Sequence, residues 1–274
     1  MSAAPGARNL KIMTITEERD PASATQSLVS RPSELSFTGQ PNAMIGQRYR
    51  LGTLLGKGGV GRVWLALDER LDRAVALKEV PHDRAHFGGS ALAEARAAAR
   101  ICDAGVVRIF DFVTTADRET DWIVMEALSG ESLASAVKRS GPIQTDEARF
   151  IGRHLLTALA AVHRSGLVHG DIKPGNIQLC ADGRVVLLDF GLTAAPRIES
   201  GSTHGLIMGT PAFLAPEVLD HGHYSPASDL YALGMALYRA TDGGGELSPL
   251  IAGLLHPNPQ KRWDIARCGD FLTD

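Results

Sequence analysis

The sequence predicts an α+β chain of two lobes, strand-rich first and mainly helical afterwards. Three observations carry this prediction. Short β-type runs punctuated by turns fill Tyr49 to Glu126, long helical patterns dominate after Gly130, and a segment without any period precedes both. A length of 274 residues is enough to bury a sizeable core.

Residues 1–44 are expected to form a flexible tail. Pro21 to Ala43 is rich in Ser, Thr, Pro and Ala and holds too few apolar residues to offset the entropy of ordering. A brief alternation at Leu10–Ile15 has the pattern of one short strand. The folded domain is expected over 45–274, with a first lobe to about residue 128 and a second from about 129. Tyr49–Leu55, Val63–Leu67 and Ala74–Val80 read as strands, the last two joined by the charged turn Asp68–Asp72. Ser90–Arg100 is Ala-rich and helical, with Ser90 as its cap. Val106–Phe112 and Trp122–Glu126 are the next strands. Helices are predicted at Ser132–Arg139, Thr145–Ser165 and Asp229–Thr241, interrupted by short strands at Ile177–Leu179 and Val185–Leu188.

Composition narrows the function classes. With 28 Lys+Arg against 31 Asp+Glu, the formal charge of −3 argues against a nucleic-acid binder. No stretch reaches the ~18 apolar residues of a membrane span. Met1–Lys11 lacks the apolar run of a secretory signal. Cys102, Cys180 and Cys268 stand far apart, in neither disulfide nor metal spacing. A cytoplasmic protein is expected, without a membrane span or a nucleic-acid partner.

Two constellations carry chemistry. Gly56-Lys57-Gly58-Gly59-Val60-Gly61-Arg62-Val63 follows the pattern G-x-G-x-x-G-x-V, in which glycines let backbone N–H groups approach phosphates. A dinucleotide fold would place a helix directly after these glycines. Strand-like sequence follows instead and leads to Lys78, a lysine in an apolar strand that needs an anionic partner. Glu94, on the next helix, is the candidate. The second constellation is His169-Gly170-Asp171-Ile172-Lys173-Pro174-Gly175-Asn176, followed by Leu187-Leu188-Asp189-Phe190-Gly191. Phosphoryl transfer requires a carboxylate to accept a hydroxyl proton, hard oxygen ligands for a cation, and positive charge near the phosphate. Asp171, Asn176 with Asp189, and Lys173 supply these types.

From about Tyr49 to Leu272 the chain resembles a bacterial, eukaryotic-like (Hanks-type) Ser/Thr protein kinase, its motifs arriving in order. The resemblance implies a two-lobed kinase fold that uses ATP and Mg²⁺, with Mn²⁺ as a substitute, and phosphorylates protein substrates and itself. It implies that Asp171 is the catalytic base, assisted by Lys173 and Thr210, and that Lys78 holds the α/β-phosphates while paired with Glu94. The nucleotide would be enclosed by Leu55, Gly56, Lys57, Gly58, Gly59, Val60, Gly61, Arg62, Val63, Ala76 and Lys78. Met125 falls at the gatekeeper position, with Glu126-Ala127-Leu128 as the hinge meeting adenine. Asn176 and Asp189 would hold the metal. Gly209-Thr210-Pro211 and Ala215-Pro216-Glu217 resemble the end of the activation segment, with Glu217 pairing with Arg262 and Asp229 anchoring the catalytic loop.

Three departures stand out. Gly170 replaces the usual Arg, which implies activity independent of phosphates at Ser200, Ser202 or Thr203. Only Asp242–Glu246 separates the helix ending near Thr241 from Leu247–Leu255, where the family has another helix. The second lobe is thus shortened after residue 241, which leaves three readings open: a surface for self-association or partner docking, a surface covered by the tail, or a repacked lobe. Gln178 stands where an apolar residue usually lies beneath adenine. A nucleotide-binding scaffold without transfer activity and a small-molecule phosphotransferase stay open as alternatives.

Overall fold

The computed structural model describes residues 43–58, 61–81, 91–115, 120–189 and 210–273, all within the unit Phe37–Asp274. The alternation at Leu10–Ile15, the Ser/Thr-rich tail and Ser200, Ser202 and Thr203 lie outside them, as do Gly59 and Val60.

The first lobe is a six-stranded antiparallel sheet. Its strands are β1 (Met44–Ile45), β2 (Tyr49–Gly58), β3 (Gly61–Asp68), β4 (Arg73–Pro81), β5 (Ile109–Thr114) and β6 (Thr120–Glu126), in spatial order β1-β2-β3-β4-β6-β5. β1 starts one residue inside the stretch read as tail. β2 and β3 each extend beyond the predicted runs, because the glycine-rich segment continues the pairing to Gly58↔Gly61. Tyr49, Ala66, Val75, Leu77, Trp122 and Val124 form the core of one face. The predicted strand at Val106–Phe112 begins at Ile109. Val106 instead bridges Leu187, and Val107 N donates to Leu187 O at 3.1 Å. Helix α1 (Ala91–Ala98) follows β4 in the chain and sets the buried Ala95 beside Val80 and Ile123.

The second lobe pairs a small sheet with helices. β7 (Glu131–Ser132), β8 (Ile177–Leu179) and β9 (Val185–Leu187) form an antiparallel trio. Helix α2 (Leu133–Ser140) is capped by Ser132, whose Oγ accepts from Ser135 N. Helix α3 (Thr145–Arg164) buries Ile151, Leu155, Leu159 and Val162, a helical-period stripe, and places Asp146 and Glu147 in its first turn and Arg164 in its last, opposing its dipole. α4 (Pro216–His221), α5 (Pro226–Ala240), α6 (Ser248–Leu254) and α7 (Ile265–Thr273) complete the lobe. α5 starts three residues before the predicted Asp229, because Ser225 and Ser228 form a reciprocal capping box. α3, α5, α6 and α7 share one core that includes Leu155, Leu159, Leu233, Leu237, Leu250, Leu254 and Leu272. Each such side chain contributes about 1.5–3 kcal/mol by leaving water.

The shortened connection is a tight turn. Asp242, Gly243, Gly244 and Gly245 all adopt positive φ, a conformation costly for most side chains. A Cβ on Gly244 would lie 2.7 Å from Ile251 Cδ1, so the turn is packed against α6 as well as bent. The chain passes from α5 to α6 with no intervening α-helix.

Candidate active site

A cleft of about 690 Å³ separates the strands of the first lobe from the small sheet of the second. Leu55, Gly56, Lys57, Val63 and Ala76 line it from β2–β4. Met125, Glu126 and Leu128 follow along the connection, and Val107, Gln178 and Leu188 add to the lining. Asn176 and Asp189 also line it. A cleft that combines apolar side chains with an amide and a carboxylate suits a flat base joined to a charged group. Gln178 brings an amide to that lining and donates weakly to Ser129 O at 3.4 Å. Arg62, expected to cover the nucleotide, turns elsewhere: its Nε donates to Glu79 Oε2 at 2.8 Å, and its guanidinium lies over Trp64.

Lys78 is only 5% exposed, and its Nζ lies 2.8 Å from Asp189 Oδ1. An ammonium so buried is tolerable only when paired. Glu94 stands on α1, but its side chain lies outside those described. Asp189 itself has φ +45°, which aims its carboxylate from a sharp bend just after β9.

Three side chains converge on Asp171. Lys173 Nζ donates to Asp171 Oδ2 at 2.6 Å and to Thr210 Oγ1 at 3.0 Å. Asn176 Nδ2 donates to Asp171 O at 2.8 Å and to Oδ2 at 3.0 Å. Thr210 Oγ1 reaches Asp171 Oδ1 at 3.4 Å. Two donors on Oδ2 leave Oδ1 the less committed oxygen. Asn176 sits on a 3-10 turn begun by Pro174, and because its amide nitrogen is spent on Asp171, its Oδ1 is the atom left for a cation.

Beneath this loop, Asp229 at the start of α5 accepts from His169 N, Gly170 N and His163 Nε2, each at 2.8 Å. Gly170 takes φ +75°, a bend that glycine enters without strain. His169 is fully buried. Its Nδ1 accepts from Asp171 N at 3.3 Å, so its Nε2 carries the proton given to Leu188 O at 2.9 Å. Burial lowers its pKa, so the ring stays neutral and ties Asp171 to the residue preceding Asp189. A second anchor lies below. Arg262 donates to both oxygens of Glu217, at 2.6 and 3.0 Å, and to Ala227 O at 2.7 Å, with its guanidinium over the Tyr231 ring.

A family model described as "Protein kinase domain" matches residues 49–248. The chain belongs to the protein kinase family. Over 202 residues this kinase is 37% identical to the serine/threonine-protein kinase PknA of Mycobacterium tuberculosis, covering 72% of the chain and 47% of PknA. It is 37% identical over 207 residues to PknL of the same species, covering 74% and 51%. With the serine/threonine-protein kinases drp72 of Corynebacterium efficiens it shares 35% over 229 residues, covering 79% and 44%. The chain spans about half the length of the curated relatives it matches.

Several residues of the kinase cleft escape motif reading. Glu131, Ser132 and Ser135 line it from β7 and α2, yet nothing in the sequence marks them out from ordinary cap residues. His163, in the last turn of α3, belongs to no motif and meets Asp229 only once the lobe is folded. Among the described residues no group of three or more His, Cys, Asp or Glu is arranged for a metal. Asp189 with Asn176 offers two oxygen donors, which suits a cation that completes its shell with phosphate oxygens and water.

Proposed function

We propose that this kinase transfers the γ-phosphoryl group of ATP to Ser and Thr hydroxyls of proteins, itself included. The observation that carries the proposal is the convergence of Lys173, Asn176 and Thr210 on Asp171. With Oδ2 held by two donors, Oδ1 is positioned to accept the proton of an attacking hydroxyl. The hydroxyl oxygen bonds to the γ-phosphorus, the bond from that phosphorus to the bridging oxygen breaks, and ADP leaves with the electron pair. Lys173 lies beside the same carboxylate, where a positive charge offsets the charge on the transferring group. The apolar cleft takes the base, with Met125, Glu126 and Leu128 along its edge.

Asp189 and Asn176 Oδ1 would hold Mg²⁺, and Lys78 anchors the carboxylate of Asp189 from the first lobe. When bound, the cation supplies neutralisation of phosphate charge. Gly170 carries no cationic side chain where the family has Arg, which supports activity without a phosphate at Ser200, Ser202 or Thr203. The folded kinase domain runs from Met44, the first residue of β1, to 274.

The test is transfer from γ-labelled ATP with Mg²⁺ to the kinase and to a generic basic protein, followed by phosphoamino-acid analysis. Label on Ser and Thr, absent with Asp171→Asn, is expected. Nucleotide binding with no transfer under Mg²⁺ or Mn²⁺ would favour a scaffold instead.

A further inference from the structure

The carboxylate of Glu126, at the end of β6, is held by a residue outside the cleft. Arg184 Nη2 donates to Glu126 Oε1 at 2.9 Å, and its Nε donates to Asp182 Oδ2 at 2.8 Å. Arg184 is itself fixed: its N donates to Asp182 Oδ1 at 3.1 Å, and its carbonyl accepts from Cys180 N at 2.9 Å. Asp182 and Arg184 belong to the turn between β8 and β9, so one guanidinium ties the second lobe to the residue where the first lobe ends. The other carboxylate oxygen, Glu126 Oε2, is buried without a hydrogen-bond partner among the described residues. A partly buried carboxylate with one oxygen unpaired is costly, and Arg184 is the cation that offsets it. Burial opposes the charge on Arg184, but the hydrogen bonds to Asp182 and Glu126 outweigh it and raise its pKa.

We infer that Arg184 is a positioning residue for the nucleotide site, acting through Glu126. Glu126 and Leu128 line the cleft, and the backbone between them must keep its peptide planes in place to meet a base. With Glu126 tethered to the β8–β9 turn, that ordering is complete before nucleotide arrives. Its entropy is therefore not charged to binding. An ordinary surface ion pair would contribute to stability alone and leave nucleotide affinity unmoved. The inference rests on the ATP-binding function proposed above.

The experiment compares wild type with Arg184→Met, Arg184→Lys, Glu126→Gln and the Arg184→Met/Glu126→Gln double variant. Calorimetric titration with ADP and Mg²⁺ gives nucleotide affinity, and amide hydrogen exchange over 126–129 in the nucleotide-free protein gives hinge order. Steady-state kinetics separate KM for ATP from kcat. Arg184→Met is expected to weaken ADP binding and raise KM about tenfold with kcat within about twofold, and to speed hinge exchange. Arg184→Lys restores part of the affinity. The double variant is no weaker than Arg184→Met alone, since both changes break one contact. Wild-type affinity and exchange in Arg184→Met would overturn the inference, as would additive losses in the double variant. Failure of wild type to bind ADP at all would instead overturn the ATP-binding reading, and the inference with it.

Discussion

Lys78 Nζ lies 2.8 Å from Asp189 Oδ1, joining β4 to the bend beyond β9 across the cleft. A pair between a buried ammonium and a partly exposed carboxylate contributes little net stability, because desolvation of the lysine offsets the attraction. Its value is positional: it fixes where the Asp189 carboxylate points. Lys78→Met, which fills similar space without charge, is therefore expected to cut phosphoryl transfer by about 10²-fold or more. Its melting temperature should stay within a few degrees of wild type, as read by circular dichroism. A variant that melts far earlier and transfers normally at low temperature would assign the pair a structural role.

Arg262 presents the opposite balance. It bonds both oxygens of Glu217, and the partner carboxylate is only 12% exposed. Removing the guanidinium strands that carboxylate, so Arg262→Ala should lose about 3–5 kcal/mol in urea unfolding. Arg262→Lys should recover only part, since an ammonium lacks the planar fork.

Most of the sheet lobe is legible in the sequence as short β-type runs, β2 ending in glycines and β3 in a charged turn, but the two residues of β1 carry no such signal. α3 is equally legible through its apolar stripe. Glu217 and Arg262, 45 residues apart, were paired by motif context, and they meet. α4, of six residues, carries too few turns to show a period. The 3-10 turn before α6 depends on the glycine run, whose backbone no pattern of side chains reveals. In the site, motif spacing named the residues gathered at Asp171. It also named Glu94 as partner of Lys78, a pairing that lies outside the described side chains; the described contact of Lys78 is with Asp189. His163 and Arg184 escaped because each acts on a residue over 50 positions away, through contacts that only the packed lobes create.

The neutral, buried His169 makes stability pH-dependent. Burial lowers its folded-state pKa below the ordinary 6.5. As pH falls through that value the unfolded chain takes up the proton first. The contribution of His169 is thus present above about pH 6.5 and declines below it, toward the folded-state pKa. In that window the unfolded state binds more protons, so stability rises with pH. His169→Asn should flatten this part of the unfolding free-energy profile. Parallel profiles for the two proteins would contradict the expectation.

Gly244 tests the shortened connection. Its φ of +99° is costly for any residue with a Cβ, and a methyl group there would lie 2.7 Å from Ile251 Cδ1, which must shift to admit it. Gly244→Ala should cost about 1–3 kcal/mol in urea unfolding. Gly141→Ala serves as the comparison, because its positive φ is met by open space. If the two lose equal stability, backbone strain alone accounts for the effect and the packing of the turn on α6 does not.

The central claim is that Asp171 Oδ1 accepts the proton of the attacking hydroxyl. Single-turnover transfer from γ-labelled ATP, with Mg²⁺ and saturating protein substrate, tests it most directly in wild type and Asp171→Asn. The account predicts a rate at least about 10²-fold lower in the variant, with ADP affinity retained. An unchanged transfer rate in a variant that still binds nucleotide would contradict it.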